Sequence, residues 1–219
     1  MSRECGNIQL ITGCMFSGKT EEVLKRVTRY EIAGLHVECF KLAMDNRFSN
    51  DEIISHSGSK RKAHLIESSQ DIYDRMVRIE RAQGEIDVIT VDEIQFLDDG
   101  IIDLFLYLRD CCEKTVIASC LHTDFRGEAF RFRNSEKHVG YLMPYCKVTR
   151  LTAICTCKVN GKTCGGTAEY TQRIIHGQPA DYHDPLILIG AKESYEARCK
   201  EHHEVPGKPL REFRGMTGF

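Results

Sequence analysis

GNIQLITGCMFSGKTEEVLKRV, from Gly6 to Val27, joins an apolar run to a glycine-bracketed turn and then to a charged stretch of helical period. Ile8 to Thr12 is short, apolar and bounded by glycine, the pattern of a buried strand. From Thr20 the apolar residues Val23, Leu24, Val27, Tyr30 and Ile32 recur at helical spacing, and Gly34 ends the helix. The turn between them fits G-x-x-x-x-G-K-[ST] at Gly13, Gly18, Lys19 and Thr20. Such a loop turns its backbone N–H groups inward on an anion, lysine supplies charge at the β- and γ-phosphates, and the threonine hydroxyl can ligate Mg²⁺. Cys14, Met15, Phe16 and Ser17 fill the variable positions of the same cradle. Strand before and helix after make this a phosphate loop.

Outward from the loop the pattern repeats. His36 to Leu42 reads as a strand, Gln70 to Gln83 as a helix, Ile86 to Glu93 as a buried strand, Gly100 to Cys112 as a helix and Lys114 to Leu121 as a strand. Asp45 to Lys62 is polar and is expected to be a loop. Strands alternating with helices imply a parallel sheet wrapped by helices, an α/β fold of P-loop NTPase type. The strand IDVITV ends in Asp92 and Glu93. Expected beside the phosphate-loop strand, it would offer Asp92 as a second Mg²⁺ contact, through water. Glu93 could accept a proton from a nucleophile in line with the γ-phosphate, whether water or a substrate hydroxyl.

The texture changes near Cys146, where CKVTRLTAICTCKVNGKTCGGTAEYTQRIIHG has β-branched residues, glycine turns and cysteines but no helical period. Three parts are expected: a nucleotide-binding domain over 1–146, a zinc-ribbon-like β module over 147–205 and a mobile tail over 206–219. The 11 cysteines do not suggest a disulfide framework in a protein with no signal-peptide pattern at its N-terminus, read here as cytoplasmic; a metal is the better expectation for the later ones. Thirty basic against 32 acidic residues give no cationic excess to recruit a nucleic acid, and no apolar run reaches membrane length, so neither partner is expected. A phosphate loop with an Asp–Glu pair serves equally a nucleic-acid-dependent ATPase, an idle nucleotide binder or a kinase. The mixed charges of the C-terminal module weigh against the first, and the joint presence of Lys19, Thr20, Asp92 and Glu93 against the second.

Several motifs in order resemble the type II thymidine kinases over Asn7 to Val205: GCMFSGKT, DNRFS (Asp45 to Ser49), DEIQFL (Asp92 to Leu97), LHTDFRGEAF (Leu121 to Phe130), TQR, and ILIGAKESYEARC with HHEVPGK. The resemblance implies a RecA-like core, a zinc-held lasso, and Mg²⁺-dependent transfer from ATP to thymidine by a homotetramer. It implies Glu93 as the general base, and the donor held by Gly13 to Thr20 with Asp92, Glu93, Ile94 and Gln95. Around the acceptor it implies Met15, Asp45, Arg47, Gln95, Phe96, Leu121, Phe125 and Phe130, with Thr171, Leu188, Ile189, Gly190 and Tyr195 on the lasso. Its zinc ligands would be Cys164, Cys199, His202 and a fourth. Here the chain departs from the family spacing, since AICTCKVNGKTC offers both Cys155, favoured because it follows LTAI, and Cys157. His203 is read as a bystander.

Overall fold

The computed structural model describes residues 6–43, 52–54, 58, 60–186 and 193–210. The first strand, β1 (Asn7–Gly13), leads into α1 (Lys19–Ile32), β2 (Val37–Leu42), β3 (Glu52–Ile54), β4 (Lys60–Lys62), β5 (His64–Ile66) and α2 (Ser69–Gln83). Then come β6 (Val88–Val91), α3 (Gly100–Asp110), β7 (Thr115–Cys120) and β8 (Lys147–Leu151). Six of these strands form one parallel sheet in the order β5-β2-β6-β7-β1-β8.

Side chains alternate across the sheet as the pleat requires, and both faces are covered. Leu10, Phe40, Ile89, Val91, Val116 and Ala118 point to the face closed by Ile72 and Met76 of α2 and Ile101 and Phe105 of α3. Ile11, Cys39, Val88 and Ile117 point to the other, closed by Val23, Leu24 and Val27 of α1. Loop and carboxylates therefore meet at the carboxyl ends of the strands, on the α1 face, where ligands of open α/β sheets bind.

Four expectations change. The strand carrying Asp92 does not neighbour β1; β7 lies between them. The expected loop over 45–62 contains the antiparallel β3–β4 hairpin, whose Ile53 is buried against the α1 face. Lys147–Leu151, assigned by texture to the second module, pairs parallel with β1 and forms the sheet's edge. Its exposed outer residues gave it no buried-strand signature. Ile32, counted in the helical spacing, is 81% exposed at the end of α1.

Beyond the sheet, β9 (Ala153–Ile154) pairs with β12 (Thr167–Ala168). Between them β10 (Lys158–Val159) and β11 (Lys162–Thr163) make a small hairpin. β13 (Tyr170–Ile175) pairs with β14 (Gln178–Pro179) and with β15 (Glu193–Arg198). This module's core is small: Ala153, Cys155, Ala168, Ala197 and Cys199 around Cys14 of the phosphate loop. The start of the expected tail is fastened at Pro206 and Lys208. The Pro206 carbonyl accepts from the Tyr182 N–H at 2.8 Å, and Lys208 Nζ donates to the Arg126 carbonyl. Positions 211–219 lie outside the described residues. Among the described residues no helix is long and apolar enough to cross a membrane.

Candidate functional site

β1 ends at Gly13 because nothing larger fits: a Cβ there would lie 2.5 Å from both the Leu151 carbonyl oxygen and the Ser17 hydroxyl. Gly18, at φ 81, starts α1 from the left-handed region. Inside the loop the Cys14 carbonyl accepts from Ser17 Oγ at 2.8 Å and from Lys19 Nζ at 3.0 Å. Lys19 is buried. A buried ammonium at the positive end of a helix dipole concentrates charge of one sign, and an anion relieves it. The loop is also fastened from behind. Cys14 Sγ donates to the Ala168 carbonyl at 3.4 Å, and the Met15 N–H donates to Thr171 Oγ1 at 3.0 Å. Phe16, at φ 67, stands on the rim of a cavity of about 860 Å³ shared with Ile154, Lys158, Tyr195 and Arg198.

Asp92 and Glu93 follow β6. Thr20 Oγ1 donates to Asp92 Oδ2 at 3.4 Å, and the Ser119 hydroxyl donates to Asp92 Oδ1. Burial, then the adjacent Glu93 carboxylate, pushes the Asp92 carboxyl up to about 6, against the hydrogen bonds from Ser119 and Thr20 and the charge of Lys19. Glu93 is left-handed, φ 55 and ψ 48, and its N–H donates to Ser119 Oγ at 3.2 Å. Gln95, almost completely buried, donates through Nε2 to Glu93 Oε2 and accepts the Leu121 N–H on Oε1 at 3.1 Å. Ile94 beside it is buried in the core. The carboxylate is thus oriented by a side chain that is itself locked.

Of the aromatic residues, Phe96 and Phe130 meet edge to face at 5.4 Å between centroids. Phe125 is buried with the guanidiniums of Arg126 and Arg173 each 5.2 Å from its ring. Leu121, next to Cys120 at the end of β7, is buried as well. Arg173 Nη1 donates to the Pro185 carbonyl at 2.5 Å, tying the segment after β14 to β13. Thr171 meets the loop through Met15, and Tyr195 lines the same cavity as Phe16. Asp45, Arg47, Leu188, Ile189 and Gly190 lie outside the described residues.

One ligand atom each from Cys155, Cys164, Cys199 and His202 converge within 4.8 Å of one another. A tetrahedral zinc with bonds of about 2.0–2.3 Å holds its ligands about 3.3–3.8 Å apart, so this donor set needs only a small contraction. Burial opposes ionisation of Cys155, but the backbone N–H groups of Cys199 and Cys157 and the His202 ring outweigh it and draw the thiol down to about 6. Burial, with Glu201 and Cys155 as neighbours, pushes Cys199 up to about 12. Thiolate is the form that ligates a metal, and a dication at this point would favour it at every cysteine of the set. Of the two cysteines left open by the sequence, Cys155 is in this cluster and Cys157 is not. Cys157 turns its Sγ toward the Lys158 carbonyl, 3.9 Å away, and opens the β10–β11 hairpin.

Sequence reading missed several residues. His203 stays outside the cysteine–histidine cluster, as expected of it, but it has a structural place: it stacks on Tyr170 at 4.7 Å, and its Nε2 donates to the Phe125 carbonyl at 2.9 Å. His122 Nδ1 meets Thr12 Oγ1 at 3.0 Å. Ser119 is fully buried between the two carboxylate residues. Only Ser119 left a trace in the sequence, as a hydroxyl inside the otherwise apolar end of TVIASC.

A parallel sheet with this loop at its carboxyl end defines a P-loop nucleotide-binding protein. The thymidine kinase family model matches residues 6–203, so the chain belongs to the thymidine kinase family, a family of nucleoside kinases. Among solved structures, AMPPCP-bound DnaA from Aquifex aeolicus is similar over 67% of this chain at 15% identity and a TM-score of 0.36. The chain spans 40% of the length of that protein's chain.

Proposed function

We propose that the protein transfers the γ-phosphoryl group of Mg-ATP to the 5′-hydroxyl of thymidine, giving dTMP and ADP, with deoxyuridine as an alternative acceptor. Its role would be nucleotide salvage and the supply of DNA precursors, in the cytoplasm and as a homotetramer. One observation carries the reading. Asp92 hydrogen-bonds Thr20 at the mouth of the phosphate loop, so the next residue, Glu93, follows a carboxylate already joined to the cradle that would hold the donor.

The chemistry follows from the parts. Gly13 to Thr20 cradle the triphosphate, and Lys19 exchanges a single carbonyl for charged oxygens, which bind an ammonium more strongly. Thr20 and Asp92 would hold Mg²⁺, which when bound neutralises charge on the phosphates. Glu93 takes the proton from the 5′-oxygen as that oxygen attacks the γ-phosphorus and the bond to the β,γ-bridging oxygen breaks. Gln95 keeps the carboxylate aimed. Phe96, Phe125, Phe130, Leu121 and Met15 supply apolar walls for the base, and Thr171, Tyr195 and the lasso cover it and exclude water. Cys155, Cys164, Cys199 and His202 would hold a structural zinc at the lasso's base.

The test is direct: incubate the protein with ATP, Mg²⁺ and thymidine and chromatograph the products. Stoichiometric dTMP and ADP are expected. ADP formed without dTMP, or only with added polynucleotide, would overturn the reading in favour of an ATPase.

A further inference from the structure

We infer that Ser119 is a positioning residue for phosphoryl transfer, locking Asp92 and Glu93 into one unit through a single hydroxyl. The inference rests on the role assigned to Glu93 above.

Ser119 lies on β7, the strand between the loop strand and the carboxylate strand. β6 and β7 run in register as Thr90 with Ile117 and Val91 with Ala118. One step further, Asp92 and Ser119 stand abreast, and on its other side Ser119 is paired with Ile11 of β1. A hydroxyl in a fully buried strand is unfavourable unless it finds hydrogen-bond partners. Here it finds two. The Glu93 N–H can only donate, so Oγ accepts from it, and the hydroxyl proton is left for Asp92 Oδ1.

The first bond holds Glu93 in a left-handed backbone, a conformation that a non-glycine residue rarely adopts unaided. The second fixes the orientation of Asp92, whose other oxygen meets Thr20. One side chain therefore sets the base relative to the phosphate cradle. Misplacement by about 1 Å can cost about 100-fold in rate, so small losses of this geometry are visible.

Ser119→Ala and Ser119→Thr are compared with wild type for kcat, for KM of thymidine and ATP, and for thermal unfolding, with Glu93→Gln as control. The expected result for Ser119→Ala is a fall in kcat of about tenfold or more with both KM values within about twofold. Ser119→Thr, which restores the hydroxyl, is expected to recover most of the loss. If the alanine variant does not fold, Ser119→Cys, of similar size but a weaker donor and acceptor, is expected to show the same kcat-selective loss. Wild-type kcat in the alanine variant, parallel loss of kcat and substrate binding, or failure of threonine to rescue would each overturn the inference. An inactive Glu93→Gln beside such a result leaves the base assignment standing, whereas an active Glu93→Gln removes that assignment and the inference together.

Discussion

Glu93 combines a left-handed backbone with a side chain held by a buried carboxamide. A general base contributes about 10²–10⁴-fold to a transfer of this kind. Glu93→Gln should lower kcat by an amount in that range while ATP binding, followed by calorimetry, stays near wild type; equal losses of binding and turnover would mean that the residue supports the loop instead. Gly13 tests the cradle. An alanine Cβ would press on the Leu151 carbonyl and the Ser17 hydroxyl, so Gly13→Ala should destabilise the protein by about 1–3 kcal/mol in chemical unfolding and weaken nucleotide affinity. An unchanged melting curve and affinity would show that the loop relaxes without consequence.

The β9–β15 module illustrates how little an element can stabilise alone. Its core is made of alanines and cysteines, too little apolar surface to hold short strands together, which is where small folds use a metal. Cys155→Ser should lose bound zinc by elemental analysis and expose the module to limited proteolysis, whereas Cys157→Ser should retain full metal content. The reverse pattern would return the ligand role to Cys157. Chelation should loosen this module before the parallel sheet, because the sheet's two apolar faces do not depend on the ion. Cys14 packs into the same small core, so loosening there should reach the phosphate loop.

At the scale of the whole molecule the groups that join distant segments also set the pH response. His122 links the segment after β7 to Thr12 on β1. Burial first, then Arg150 and Lys19, lowers its pKa below the usual histidine value. A depressed folded-state value means that the unfolded chain binds the proton more readily. The contribution of His122 to stability is therefore complete above about pH 6.5, the unfolded value, and is lost as the pH falls toward the folded one. The stability gap between wild type and His122→Asn should shrink between pH 7.5 and 5.5 in urea unfolding series. A gap independent of pH would show that the ring stays neutral, or does not matter, across that window.

The local sequence determined the elements and the chemistry whose signals are local. Glycine spacing, an apolar run and a helical period set β1, the loop and α1, and the carboxylate pair at Asp92 and Glu93 ended a readable strand. The tertiary structure decided everything that depends on which segments become neighbours. It placed β7 between β1 and β6, made Lys147–Leu151 an edge strand, and brought Cys155 rather than Cys157 to Cys164, Cys199 and His202. It also brought Ser119, Thr12, His122 and His203 to partners as many as 110 residues away. A buried hydroxyl or imidazole is specified by what surrounds it, and its surroundings exist only once the sheet has closed.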